Sequence, residues 1–295
     1  MIVLTGGTGT VGRELVGLLQ ASKQPHRVLT RSPESARALE AAGPQAVVGS
    51  VEHPGDLAAA MAGCDTVISA MTGFGPSSGS SPAAVDRDGN LNLIATAQDA
   101  GVKRFVLFSV RGAGPGHPLE LNRMKFGAEQ ALRESALGWM VLRPTTILET
   151  FTGIMKESLD RHDVVVVFGR GNRPVNFVCA ADAARTALLA ARDPELQGSI
   201  LELGGPENCS FNELASLVIS RHDSGCTVHV PLPVLRAMAF SANAVAPSWG
   251  RILGAAILMC TTDMTFEAPL CQGSLPKIEL KTVQEALQTA HQTRH

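Results

Sequence analysis

The sequence predicts an α/β fold, a doubly wound parallel sheet with helices on both faces, followed by a smaller, helix-rich C-terminal region. Three observations predict it. Short apolar runs alternate with helical patterns through the first half. A glycine-rich turn, Gly6-Gly7-Thr8-Gly9-Thr10-Val11-Gly12, joins the first apolar run to the first helical pattern. After Pro144 the alternation gives way to another rhythm.

In order, the expected strands of the first half are Ile2–Thr5, Arg27–Thr30, Ala46–Gly49, Thr66–Ala70, Arg104–Ser109 and Trp139–Leu142. Each is a short run rich in β-branched or apolar residues. Between them, helical spacing marks Val11–Gln20, Pro33–Ala42, Gly55–Ala62, Ala84–Ala100 and Leu119–Ser135. Gly73–Pro82, rich in Gly, Ser and Pro, reads as a mobile loop beyond a strand end. Past Pro144, a helix is expected at Phe151–Asp160, with short strands at Val164–Phe168 and Val175–Cys179 around the turn Gly169-Arg170-Gly171-Asn172. A helix at Ala181–Arg192 and a strand at Ile200–Leu203 then return to the main sheet. From Gly205 the chain reads as a helix-rich tail with a break at Pro231–Pro233. The domain expectation is a nucleotide-binding core over 1–150, rejoined by 180–205, and a substrate or cap region over 151–179 and 206–295.

Composition narrows the function classes. A chain of 295 residues, 45% apolar and 18% charged, is globular and long enough for such a core plus an appended region. A net charge of −2 without a basic stripe gives no reason to expect nucleic acid as a partner. The six cysteines (Cys64, Cys179, Cys209, Cys226, Cys260, Cys271) show neither C-x-x-C nor metal-ligand spacing, so buried free thiols and no metal are expected. The late apolar run Ile252–Cys260 is far shorter than the roughly 20 residues of a membrane span. With the glycine turn already at residue 6, no targeting segment is read, and a cytoplasmic protein is expected.

The glycine turn carries the first functional reading. A short apolar strand, a glycine turn and then a helical pattern is how a Rossmann-type dinucleotide-binding unit opens. One glycine makes the tight turn, one lets backbone approach the pyrophosphate, and one lets the helix pack closely on the strand. The free N–H groups at the helix start then face the phosphates. Units that bind NAD carry an acid about 20 residues on, at the tip of the second strand. Here that tip reads Val28-Leu29-Thr30-Arg31-Ser32, without Asp or Glu. The guanidinium fork of Arg31 suits a 2′-phosphate, with Thr30 and Ser32 as further hydroxyl donors, so NADP(H) is the expected cofactor. The other reading of Arg31 is a solvated residue opening the next helix.

At this point the chain resembles the atypical, NmrA-like branch of the short-chain dehydrogenase/reductase superfamily. The resemblance is carried by TGGTGTVGREL (5–15), VLTRSPE (28–34), GDLAAAMAGCDTVISAMTG (55–73), GNLNLIATAQDAGVKRFVLFSV (89–110), KFGAEQALRESALGWMVLRP (125–144) and ADAARTALLAARDPELQGSILELGGPE (181–207). It implies that Gly6, Gly9 and Gly12 hold the pyrophosphate and that Arg31 sits at the 2′-phosphate. Ser50 and Val51 would flank adenine, although the family often has Asp there. Ser69, Ala70 and Met71 would end the fourth strand beside ribose and nicotinamide. Ser109 stands at the place of the active-site serine and Lys125 at that of the active-site lysine. Pro144, Thr145 and Thr146 would lie near the nicotinamide amide.

One departure matters. Most of that superfamily uses a tyrosine four residues before the lysine as proton donor. Here that position is Leu121, and the chain contains no tyrosine. Lys125 could still bind the nicotinamide ribose and lend charge or a proton to a developing anion. Alternatively, Lys125 and Glu129, at i and i+4, form a surface helix pair. The resemblance includes reductases, such as the isoflavone reductase group, that rely on the lysine without the tyrosine. Among other candidates, His117 reads as a loop residue or a site residue, and Ser109 as a donor or a structural cap. Asn122 and Arg123 lie near Lys125 in sequence, but only one of them can share its helix face. Asp86 and Asp88 read as dipole partners at a helix start, and Asp182 as a structural first-turn acid.

Two function classes follow. The first is an NADPH-dependent oxidoreductase passing hydride to a small apolar or aromatic acceptor: a quinone, an azo or triphenylmethane dye, or an activated alkene. Such acceptors need little enzymatic acid. Leu232–Phe240 and Ile252–Met259 would line its acceptor pocket. The second is a non-catalytic NADP(H)-binding regulator or assembly protein with a protein partner, as the resemblance to nucleotide-responsive regulators and to an accessory subunit of respiratory complex I implies.

Overall fold

The computed structural model describes residues 1–75, 80–222, 224–267 and 278–292. The chain divides into two compact units, Met1–Pro144 with Ala183–Glu202, and Thr145–Asp182 with Leu203–His295.

The first unit is built on a seven-stranded sheet, ordered β10-β6-β5-β4-β1-β2-β3. Its strands are β1 (Ile2–Thr5), β2 (His26–Thr30), β3 (Gln45–Val48), β4 (Thr66–Ser69), β5 (Arg104–Phe108), β6 (Gly138–Pro144) and β10 (Ser199–Leu203). The ladders joining β3, β2, β1, β4, β5 and β6 are all parallel. Every residue of β1 and of β4 is buried. This is why neither alternates apolar with polar residues, β1 running Ile-Val-Leu and β4 centring on Val67 and Ile68: helices cover both faces. The helices are α1 (Thr10–Ala21), α2 (Pro33–Ala41), α3 (Pro54–Met61), α4 (Asn90–Asp99), α5 (Glu120–Glu134) and the greater part of α7 (Ala180–Arg192). α2 and α3 open on a proline, whose missing N–H costs nothing there. The expected return of the chain to the sheet is found: β10 lies beside β6. Strand order reverses between β1 and β4, so their carboxyl ends border the crevice where open α/β sheets receive ligands.

One expected element is split. Ala84–Ala100 reads as a single helix, but Ala83–Gly89 is a π-helical turn that passes into α4. Asn90 accounts for the wide turn, because its buried amide donates back to the carbonyls of Val85 and Asp86. Within the expected loop Gly73–Pro82, residues 76–79 lie outside the described residues. Its end is anchored where Ser81 Oγ accepts the Ala84 N–H.

The second unit holds α6 (Leu148–His162), β7 (Thr146–Ile147), β8 (Val164–Phe168), β9 (Pro174–Val178), β11 (Asn208–Ser210), α8 (Phe211–Ile219), β12 (Cys226–Val230), α9 (Leu232–Val245), α10 (Pro247–Thr261) and α11 (Val283–Gln292). Phe151, Phe177 and Phe211 form a ring cluster in its core, with centroids 5.4 to 6.1 Å apart. Ser210 and Glu213 make a reciprocal capping box at the start of α8. The tail is helix-rich, as expected, with α8 to α11; it also holds a strand the sequence reading does not include, β12, parallel to β8 along its whole length. Three cysteines (Cys64, Cys179, Cys209) are buried free thiols as expected; Cys226 is instead exposed on β12, and Cys260 is half-buried. Cys271 lies outside the described residues.

Candidate cofactor and active site

Three glycines of the first turn, Gly6, Gly7 and Gly12, each have a distinct steric reason. Gly6 has φ +77, and a Cβ there would sit 2.5 Å from the Ala70 carbonyl oxygen at the end of β4. A Cβ on Gly12 would fall 2.0 Å from Gly6 O, so only glycine lets α1 start this close to the turn. Gly7 is buried against Val28 of β2. Gly9 differs, since its Cβ position meets only Gly6 O, at 3.2 Å, and Thr8 and Gly9 are exposed. No side chain caps α1 and its first turn holds no acid. The N–H groups of Thr10, Val11 and Gly12 therefore have no acceptor within the helix. Uncapped donors, the positive end of the helix dipole and open backbone at Gly9 fit a pyrophosphate.

Arg31 is exposed just beyond β2, and its Nη1 donates to Ser80 Oγ at 3.1 Å. The neighbouring hydroxyls have structural duties: Ser32 Oγ accepts the Ser35 N–H and caps α2, while Thr30 is buried. After β3, Ser50 N donates to Asp56 Oδ2 at 2.9 Å. Val51 packs into the core, where a Cβ on Gly89 would lie 2.6 Å from it. At the end of β4, the Ser69 hydroxyl is fully buried between Thr5 and Asn90, donating to Asn90 Oδ1 at 2.7 Å. Ala70 is bonded back to Thr5 O, and Met71 is buried.

The most consequential feature is the surroundings of Lys125. It is not a surface residue, and the i, i+4 pair with Glu129 does not form. Its ammonium donates to Met71 O at 2.8 Å and lies 3.0 Å from Asp86 Oδ1, with the two side chains 4% and 0% exposed. Oδ1 is in ion-pair range but outside hydrogen-bond geometry, so the contact is electrostatic rather than an aligned bond. The other oxygen, Asp86 Oδ2, accepts the Gly73 N–H at 2.8 Å and the Thr72 hydroxyl at 3.4 Å. Asp86 is thus a buried counter-ion rather than a solvated dipole partner, a role invisible in its local sequence. Asp88 pairs with its neighbour Arg87 at the surface.

Glu129, one turn beyond Lys125, has its own partners. It accepts the Ser109 hydroxyl and both Arg143 Nε (3.0 Å) and Nη2 (2.6 Å). The bond to Glu129 raises the already high pKa of the Arg143 guanidinium further. Ser109, at the end of β5, is therefore a buried donor to a carboxylate. Asn122 shares the buried face of α5 with Lys125 and donates to Arg111 O. Arg123 instead reaches back to the carbonyls of His117 and Pro118. His117 Nδ1 accepts the Leu119 N–H at the entry to α5, and burial lowers its pKa. Leu121 is half-buried where the tyrosine is missing, and Pro144 closes β6 with its carbonyl accepting the Arg111 N–H. In the second unit, Thr145 Oγ1 donates to Asn176, and Asp182 accepts the Lys281 N–H, which makes it structural as expected.

The second unit also contains an open cavity of about 1160 Å³. Leu232 and Met259, from the two expected pocket segments, line it, together with Arg170, Arg173 and His229. Phe240, from the same expected lining, is 83% exposed and stands outside it. Among the described residues no helix is long and apolar enough to cross a membrane, and no cluster of His, Cys, Asp or Glu could hold a metal ion.

Comparison with known proteins agrees with the glycine turn. The model of a family described as NAD(P)H-binding matches residues 6–160. An NAD(P)H azoreductase of Xenophilus azovorans is 32% identical over 216 residues, covering 73% of this chain and 72% of that protein. The photosystem II assembly factor Ycf39 of Synechocystis sp. is 29% identical over 240 residues, covering 80% and 72%. Among solved structures, the NADPH-dependent quinone oxidoreductase QOR2 of Escherichia coli, complexed with NADPH, superposes with a TM-score of 0.76 at 20% identity, covering 99% of this chain and 100% of that one.

Proposed function

This chain belongs to the NAD(P)H-binding, atypical NmrA-like family of short-chain dehydrogenases/reductases, and on that premise we propose that it is an NADPH-dependent reductase of quinones, azo dyes or similar flat acceptors. The observation that carries this reading is Lys125, kept buried and charge-paired at the end of β4 although the tyrosine is gone. A solvated lysine would need no such partner. The azoreductase relative supports an acceptor of this class.

In this proposal Gly6, Gly7, Thr8, Gly9, Thr10, Val11 and Gly12 hold the pyrophosphate, and Arg31 reads the 2′-phosphate. Ser50 and Val51 border the adenine, with Ser50 as the accessible member. Ser69 acts through structure, fixing the end of β4, while the backbone of Ala70 and Met71 and the Pro144 turn shape the nicotinamide end. Bound NADPH would supply a hydride from C4 of its nicotinamide ring. An ammonium has three donors. One of those of Lys125 is spent on Met71 O and another side faces Asp86, which leaves the remainder for a ribose hydroxyl or a developing anion. Asp86 is a positioning residue, keeping Nζ at the strand end and compensating its charge in a dry site. Ser109 acts through Glu129 and Arg143, which lock α5 onto β5 and β6. The nucleotide core remains assigned to 1–150 with 180–205 and acceptor selection to 151–179 with 206–295, in a cytoplasmic protein.

A second reading has its own support. Lys125 and Ser109 are both engaged internally, and one relative is an assembly factor, so a non-catalytic NADP(H)-binding assembly or regulatory protein is the alternative. The test is NADPH consumption with a panel of quinones and azo dyes. Tight NADPH binding with no oxidation above background would favour the alternative.

A further inference from the structure

A helix at a protein surface turns an apolar stripe inward and polar residues outward. The helix α9 does not. Leu235 and Ala239 form its inner stripe, packed with Leu253 of α10. Its outer side carries Val234, Met238, Phe240 and Val245, all exposed, the last two at 83% and 84%. Just past the one-residue link Ala246, Trp249 at the start of α10 is 53% exposed. From Leu232 to Thr261 the only charged residues are Arg236 and Arg251, with no Asp or Glu, in a chain whose net charge is −2.

We infer that the α9–α10 pair docks on a lipid bilayer bearing anionic headgroups, lying in the interface without crossing it. Exposed apolar residues with Trp and Phe, in a segment whose only charges are cationic, suit an interfacial helix. The helices, of 14 and 15 residues, are too short to span. A second copy of the chain fits this face less well. A two-fold contact sets the same patch against itself, bringing Arg236 and Arg251 together with no acid from either hairpin to compensate them. Anionic headgroups supply that compensation. The inference is independent of the reductase reading, because attachment to lipid requires no turnover.

The test is co-sedimentation of the full chain with vesicles of phosphatidylcholine, alone or mixed with phosphatidylglycerol. The protein is expected to pellet with the mixed vesicles and much less with phosphatidylcholine alone. Replacing Phe240→Ser with Val245→Ser should abolish pelleting. Combining Arg236→Gln with Arg251→Gln should weaken binding to mixed vesicles roughly thirtyfold, at about a kilocalorie per mole for each cation. Retained thermal transitions and NADPH affinity show that the variants are folded. Failure of the folded wild-type chain to pellet overturns the inference, as does pelleting unaffected by the Phe240 and Val245 substitutions. A dimer split by those substitutions, without vesicle binding, assigns the face to a second copy instead.

Discussion

Asp86 Oδ1 lies 3.0 Å from Lys125 Nζ, and both side chains are withdrawn from solvent. Asp86 comes from the π-helical turn and Lys125 from α5, so the pair ties two elements together at the end of β4. Removing one partner leaves a buried charge uncompensated. Asp86→Asn is expected to cost about 3–5 kcal/mol in urea unfolding, whereas Asp86→Asn combined with Lys125→Met should recover much of that loss. Additive losses in the double variant would show that the two charges do not stabilise one another.

Gly9 and Gly12 separate binding from folding. Gly9→Ala should change stability by only about 1 kcal/mol, because its Cβ would meet a single atom, Gly6 O at 3.2 Å, which must give by a few tenths of an ångström, yet weaken NADPH at least tenfold by order of magnitude. Gly12→Ala forces a methyl group to 2.0 Å from Gly6 O and should cost about 3 kcal/mol in stability. Titration of NADPH fluorescence, alongside chemical denaturation, distinguishes the two outcomes.

Arg31 tests cofactor choice. Loss of a charge-assisted contact to phosphate predicts that Arg31→Ala weakens NADPH by roughly 10- to 100-fold and leaves NADH nearly unchanged. Equal losses for both nucleotides would remove Arg31 from recognition of the 2′-phosphate.

The cysteines give a prediction in pH. Burial pushes the Cys179 thiol up to about 12 and the Cys209 thiol to about 11. Thiols raised in the fold keep their protons while the unfolded chain loses them, so stability is full below the unfolded value near 9 and falls as pH rises toward 11. The urea midpoint should drop over that window, and less steeply in Cys179→Ala. Among the described cysteines, mass mapping after maleimide treatment at neutral pH should find Cys226 labelled and Cys179 and Cys209 protected.

What the sequence made legible follows from range. The glycine turn, β1 and α2 are local patterns, and they stand where Ile2–Thr5, Gly6–Gly12 and Pro33 place them, while the helix expected from Gly55 opens one residue earlier, at Pro54. The π-helical turn escaped because Ala83–Asp99 keeps helical spacing throughout, while the widening depends on Asn90 and on Gly89 lying against Val51. β12 alternates Cys226, Val228 and Val230 with Thr227 and His229, a strand period over only five residues between helical stretches, and its pairing with β8 identifies it. At the site, Lys125 was found from motif position. Its partner was not, since no local rule links Asp86 to a lysine on another helix. The same holds for Glu129, whose spacing suggested Lys125 but whose carboxylate belongs to Arg143 and Ser109.

The most direct test of the central claim is rapid-mixing oxidation of NADPH by a quinone or azo dye, comparing ordinary NADPH with NADPH deuterated at the transferred C4 position. Acceptor-dependent oxidation that slows on deuteration, and slows further in Lys125→Met, is the predicted result. Bound NADPH that survives mixing with every acceptor in the panel would contradict it.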